Sequence, residues 1–284
     1  MKFFQIFTLL SLPVVMLTSC GNDDDNPSGN SFSLPVDAAG NTILSQNIST
    51  GAVEALPGAN YGLKGDLDNG VLTLTINDLQ YDSQKNAISF TLPAARLSIT
   101  QGSFSVDQAG DVSVALSNGA VTVSDLLIKF ALQTNGTQKL MQLSYTIDHT
   151  YKITTVFNSN IFVGTTTTTD LTSPETNPFT SQEPMYNVVL DRKNKTAQLQ
   201  IAYAKFLPAM PSLGVMYFDK IPVEYTADGF TFFINEVVPS INNTPYPDFK
   251  VANVSGTVVA GKTLKLTFEC ARFNRKVSFE GTAY

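Results

Sequence analysis

The chain has 284 residues, 43% of them hydrophobic and 15% charged, with 24 acidic side chains against 18 basic ones and a formal net charge of −6. That is too apolar and too weakly charged for a disordered chain, and two cysteines are too few for a disulfide scaffold. The acidic balance also excludes a protein that grips nucleic-acid phosphates.

Residues 1–19 hold Lys2, the apolar run Phe3 to Leu17, and the small residues Thr18 and Ser19. A spanning helix needs ~20 apolar residues, so this shorter run predicts a cleaved signal peptide. Leu17-Thr18-Ser19-Cys20 resembles the lipobox of bacterial lipoproteins, which implies lipidation of Cys20 once the signal is removed. Each buried acyl methylene contributes ~0.8 kcal/mol and two chains anchor stably, so an acylated Cys20 holds the chain on a membrane by itself. Residues 20–33 are small, polar and acidic, the composition of a flexible tether. Within it, Asp23, Asp24 and Asp25 resemble the acidic surface-export signal of Bacteroides-type lipoproteins, which implies display on the outer face of the outer membrane.

The remainder repeats at a spacing near 125 residues. Tyr61, Asp66, Asn69, Leu74, Ile76 and Tyr81 align with Tyr186, Asp191, Asn194, Leu199, Ile201 and Phe206. At a spacing of 126, Leu97, Ile99 and Phe104 meet Val223, Tyr225 and Phe230, and at 123, Leu143, Tyr145 and Ile147 meet Leu266, Phe268 and Cys270. Two tandem units result, 34–159 and 160–284. Within each, apolar residues alternate with polar ones, as in Met141-Gln-Leu143-Ser-Tyr145-Thr-Ile147 and Leu264-Lys-Leu266-Thr-Phe268-Glu-Cys270. That period of two, with one wet face, marks antiparallel sheet.

Asp68-Asn69-Gly70, Gln108-Ala109-Gly110, Ser117-Asn118-Gly119, Asn135-Gly136, Ala227-Asp228-Gly229 and Ala260-Gly261-Lys262 separate the runs with residues tolerant of positive φ. The fold class is therefore all-β: two tandem antiparallel meanders, each rolled into a barrel or, alternatively, packed as a β-sandwich. Thr165 to Thr169 reads as a strand opening the second unit.

Chemistry is sparse. With His149 the one histidine, neither a Ser-His-Asp triad nor a multi-histidine zinc site can be assembled. Asp66 and Asp68 fall short of a calcium loop, whose twelfth position is here Asn77 instead of Glu. Cys270 alternates inward with Phe268 and Leu266 and reads as a core residue. No catalytic residue, metal site or cofactor is assigned, and the chain reads as a non-enzyme.

Two connections stand apart. Phe206-Leu207-Pro208-Ala209-Met210-Pro211 is apolar where a polar turn is expected. Val237-Val238-Pro239 through Pro245-Tyr246-Pro247 is proline-rich and reads as too stiff for a tight hairpin. If both lie on one rim, Phe206, Leu207, Met210 and Tyr246 either frame the mouth of a small apolar ligand site or plug the barrel end.

The lipobox, the acidic tether, and the run from Phe162-Val-Gly-Thr through Leu199-Gln-Ile201, Phe206-Leu-Pro-Ala-Met210, Ile221-Pro-Val and Asp228-Gly229-Phe230 to Leu264-Lys-Leu-Thr-Phe268 and Phe279-Glu-Gly281 resemble the calycin-like, lipocalin-related lipoproteins of Bacteroides-type bacteria. The resemblance implies a small lipocalin-related barrel and carries over no catalytic residue. The expected function is that of a membrane-anchored envelope lipoprotein. It binds a small apolar ligand or serves as an accessory surface module; the alternative is a structural or adhesive surface protein with filled barrels and a protein partner.

Overall fold

The computed structural model describes residues 31–100, 103–132, 138–174 and 178–284, and contains strands, turns and three short 3-10 turns. The signal peptide, Cys20 and the tether up to residue 30 lie outside the described residues. In the first half the strands are β1 (Ser31–Val36), β2 (Asn41–Asn47), β3 (Val53–Pro57), β4 (Asn60–Asp66), β5 (Val71–Leu79), β6 (Ile88–Arg96), β7 (Ser98–Thr100), β8 (Ser103–Gln108), β9 (Val112–Leu116), β10 (Gly119–Leu132), β11 (Gln138–Ile147) and β12 (Tyr151–Phe157). The second half contributes β13 (Ser159–Asp170), β14 (Phe179–Ser181), β15 (Met185–Asp191), β16 (Thr196–Ala202), β17 (Met216–Thr226), β18 (Gly229–Val237), β19 (Ser240–Ile241), β20 (Thr244–Pro245), β21 (Val251–Val259), β22 (Thr263–Cys270) and β23 (Arg275–Ala283).

The second half closes. Antiparallel pairing runs β13, β15, β16, β17, β18, β21, β22, β23, and β23 returns to β13 with Phe162 opposite Ala283 and Asp170 opposite Arg275. This is an eight-stranded up-and-down barrel, which leaves no edge among its main strands. Its inward side chains form one continuous core that includes Tyr186, Leu199, Phe218, Phe230, Phe232, Phe268, Cys270 and Phe279. Gly256 sits beneath the Phe232 ring, where a Cβ would lie 2.1 Å from the ring edge, so the glycine is required by the close packing of that aromatic.

The first half is more open. One sheet has the order β1-β4-β5-β6, and an eight-stranded sheet has β3-β2-β12-β11-β10-β8-β7 with β9 beside β10. Both sheets contribute to a single core containing Ile43, Leu63, Leu74, Phe90, Val106, Phe130, Leu143 and Tyr145. Where the second half pairs β13 with β15, the first pairs β2 with β3 instead. The Asn41 side chain stands beside that break: its Nδ2 donates to the Ala59 carbonyl at 3.0 Å and its Oδ1 accepts from the Ala59 N–H at 3.2 Å. The closed barrel and the two-sheet arrangement thus occupy different halves of one chain.

The tether is shorter than its composition indicates. Ser31, Phe32 and Ser33, placed by sequence in the flexible segment 20–33, belong to β1 and pair with Asp66, Gly65 and Lys64. Phe32 caps the first core, its ring 6.1 Å from Phe104 and 5.8 Å from Phe130.

The internal repeat is preserved in detail at its non-core positions. Asn69 donates its N–H to Asp66 Oδ1 at 3.0 Å and its Nδ2 to Asp66 Oδ2 at 2.6 Å; Asn194 makes the same two bonds to Asp191 at 3.0 and 2.6 Å. Those bonds hold both aspartates below the usual carboxylate range. The paired tyrosines also match, the Tyr61 hydroxyl lying 2.8 Å from Thr155 and the Tyr186 hydroxyl 2.9 Å from Thr166.

The halves meet at the turn end of the barrel, where Leu44 and Val156 of the first half are buried in the same core cluster as the barrel's side chains and polar contacts surround them. Thr154 donates to the Ala227 carbonyl at 2.8 Å, and Lys152 pairs with Asp228 at 2.7 Å. Asn158 joins both sides: its N–H donates to Gly40 at 2.9 Å while its carbonyl accepts from Leu190 at 2.7 Å. At Gly261 (φ +62°) a Cβ would lie 1.3 Å from the Met141 carbonyl oxygen, so only glycine permits this approach.

Candidate functional site

Successive connections of a meander alternate between the two ends of its barrel. The β16–β17 and β18–β21 connections therefore share the rim remote from the junction, together with Ala271–Phe273. Ile241 Cγ2 sits 4.0 Å from where a Cβ on Gly214 would stand, so the two connections touch.

Phe206 points inward and is 1% exposed, with its ring edge-on to Phe268 at 5.7 Å. Its carbonyl accepts from the Thr168 hydroxyl at 2.9 Å, which fixes the connection to the barrel wall. Leu207 is half-buried and begins a turn that the Met210 N–H closes at 3.1 Å; Pro208 and Ala209 form its exposed tip. Met210 and Leu213 then pack back on the core. Two bonds pin the outside of this loop to Glu183, from Lys205 at 2.9 Å and Ser212 at 3.0 Å, and they hold the Glu183 carboxyl below its ordinary range.

The second connection corrects the sequence expectation. Asn242 and Asn243 have φ of 50° and 61°, the signature of a type I′ turn, and they join β19 to β20 in a miniature hairpin within the proline-rich loop. The prolines flank that hairpin, and the Tyr246 N–H closes the larger loop on the Pro239 carbonyl at 2.8 Å. Tyr246 is 38% exposed and faces Phe249 at 6.4 Å; Phe249 faces Phe273 at 5.6 Å and carries Arg272 4.9 Å above its ring. Phe206, Leu207 and Met210 are thus gathered in one loop over the barrel end. Tyr246 stands on the adjoining loop, and its ring contact is with Phe249.

The interior below this rim is packed with the chain's own aromatics. Tyr186 stacks on Phe279 at 3.9 Å, and Phe218 lies 6.4 Å from Phe268. Large apolar side chains exposed at the rim include Leu171, Val238 and Tyr246, at 37, 39 and 38% exposure. Cys270 is buried, which pushes its thiol above the usual range. His149 lies with Asp148 in a tight turn where both have positive φ, and its Nε2 is 3.2 Å from Asp111 on the exposed surface. Among the described residues no group of three or more His, Cys, Asp or Glu is placed to hold a metal ion.

The second half is therefore an eight-stranded antiparallel up-and-down barrel with its own side chains packed in the interior. No family model and no curated protein matches the chain. Among solved structures it is similar to the isotype 1 transferrin binding protein B of serogroup B Neisseria meningitidis, at 8% identity and a TM-score of 0.27, covering 90% of this chain and 77% of that one. It is also similar to a double mutant of the vaccine antigen transferrin binding protein B from Haemophilus parasuis Hp5, at 10% identity and a TM-score of 0.24, covering 90% and 76%. Similarity at this level assigns no function.

Proposed function

We propose that the chain is an envelope lipoprotein, anchored by acylated Cys20 and displayed at the outer-membrane surface, whose units 34–159 and 160–284 form a non-enzymatic binding module for a surface protein partner. The observation that carries this reading is the filled barrel. A carrier of small apolar ligands needs a hollow lumen and an open mouth, whereas here Phe206 is 1% exposed, seated on Phe268, and Met210 packs on the same core. Binding then falls to the outer surface, where the rim loops present Leu171, Val238 and Tyr246 beside the Arg272–Asp248 pair at 2.8 Å. Exposed apolar side chains beside charged ones are the groups that protein interfaces use.

Titration with a fluorescent fatty acid tests this. The expected result is no saturable binding by the chain from residue 21 on, which retains all described residues. Saturable binding that is lost on mutating Phe206 would overturn the filled-barrel reading and restore the carrier.

A further inference from the structure

A cleft of about 340 Å³ lies between the outer face of the first half's large sheet and the turns of the barrel. Its floor follows from strand register. Asp107 on β8 is opposite Leu127 on β10, Leu127 is opposite Ser144 on β11, and Ser144 is opposite Thr154 on β12. Gln142, two residues before Ser144, lines the same cleft. The wall comes from Asp228 and from the β21–β22 turn, which brings Lys262.

The polar groups of this cleft are not balanced. Gln142 is 8% exposed and its Oε1 accepts no hydrogen bond. A buried carbonyl without a donor is destabilising, and native proteins seldom retain one without a use for it. Asp125 Oδ2 receives only long bonds, from Thr146 at 3.3 Å and Ser124 at 3.4 Å. Lys152, which lines the floor, is already engaged by Asp228 at 2.7 Å. What remains to be complemented is a set of acceptors, Gln142 Oε1 with the carboxylates of Asp107 and Asp125, facing a single ammonium on Lys262. Leu127 separates Asp107 from Ser144 along the floor and offers an apolar surface between the acceptors.

We propose that this cleft binds a small diamino acid, a molecule with two ammonium groups and one carboxylate joined by a short methylene chain. The ammonium groups donate to the carboxylates of Asp107 and Asp125 and to Gln142 Oε1, the methylenes lie over Leu127, and the carboxylate meets Lys262. Two positive groups and one negative then answer two free carboxylates and one free ammonium. The site is separate from the barrel rim and is independent of what that rim binds.

Calorimetry with L-lysine on the chain from residue 21 on, at about 0.15 M salt to screen loose surface attraction, tests the proposal. The expected result is saturable 1:1 binding with a dissociation constant of about 1 mM or tighter. Gln142→Met and, at an exposed position that folding tolerates, Asp107→Asn each weaken it at least ten-fold. Cadaverine, the same diammonium without the carboxylate, binds at least ten-fold more weakly than lysine to the unmodified chain, and Lys262→Met removes that preference. Absence of saturation by lysine overturns the proposal. So does unchanged affinity in both Gln142→Met and Asp107→Asn, and so does cadaverine binding as tightly as lysine.

Discussion

Replacing Phe206 with alanine discriminates between a plug and a mouth. The ring is 1% exposed and lies edge-on to Phe268 at 5.7 Å. An aromatic side chain buries roughly 150–250 Å², which at about 25 cal/mol per Å² is worth roughly 4–6 kcal/mol as an upper value. Measured Phe→Ala losses in cores are about 3–5 kcal/mol, because a cavity remains where the ring was. The bond from Thr168 to the Phe206 carbonyl at 2.9 Å is made by the backbone and survives, so the loop has little freedom to collapse into the space. The expected cost is therefore about 3–5 kcal/mol, against about 1 kcal/mol for Leu207→Ala next door, which is only half-buried. Urea unfolding followed by tyrosine fluorescence and circular dichroism measures both. A Phe206→Ala loss below about 1 kcal/mol would mean that the ring does not complete the core and that the loop opens.

Other outcomes follow from the same structure. Asn69→Ala and Asn194→Ala each remove the equivalent Nδ2 bond to the turn aspartate while the backbone N–H bond survives, and each should cost about 1 kcal/mol by urea unfolding; a large inequality would contradict the equivalence of the turns. Burial pushes the Tyr61 hydroxyl up to about 12, and pushes Tyr145 and Tyr186 up as well. Raised values mean that the folded chain keeps protons which the unfolded chain releases above pH ~10. Stability is then fully present below that pH and falls as pH rises toward 12, by about 1.4 kcal/mol per pH unit for each such tyrosine. Thermal melts from pH 9 to 12 should show this fall, and Tyr186→Phe should flatten it. Cys270 should resist a thiol reagent until the chain is unfolded, since it is 1% exposed and its thiol is pushed up by burial. Cys20→Ala should move the protein from the membrane fraction to the soluble one; continued sedimentation with membranes would contradict acyl anchoring.

Much of the fold was written in local pattern. Alternation gave the strands because a half-buried antiparallel strand must present one face to the core, and Leu264, Leu266, Phe268 and Cys270 are all buried as their spacing requires. The aspartate–asparagine pairs were informative for a different reason: they recur at polar positions, where generic strand pattern has no cause to repeat them. What escaped was non-local. Ser31 to Ser33 reads as tether because it continues a polar segment, and it becomes part of a strand only when β4 supplies its partner and Gly65 makes room for Phe32. The opening of the first half beside Asn41 depends on a side chain meeting a backbone eighteen residues away. The rim was half legible: apolar and proline-rich runs marked the loops, but the small hairpin at Asn242 and Asn243 was hidden among prolines. The cleft around Gln142 was not legible at all, since Asp107, Leu127, Ser144 and Thr154 are brought into one row by register across four strands.

The most direct test of the account is native mass spectrometry of the chain from residue 21 on, produced without acylation and purified gently, before and after organic extraction. A closed barrel filled by Phe206, Phe218, Phe268 and Phe279 predicts the mass of the protein with no organic-extractable apolar component. A reproducible added mass that disappears on extraction would show that the barrel carries an apolar guest and would contradict the account at its centre.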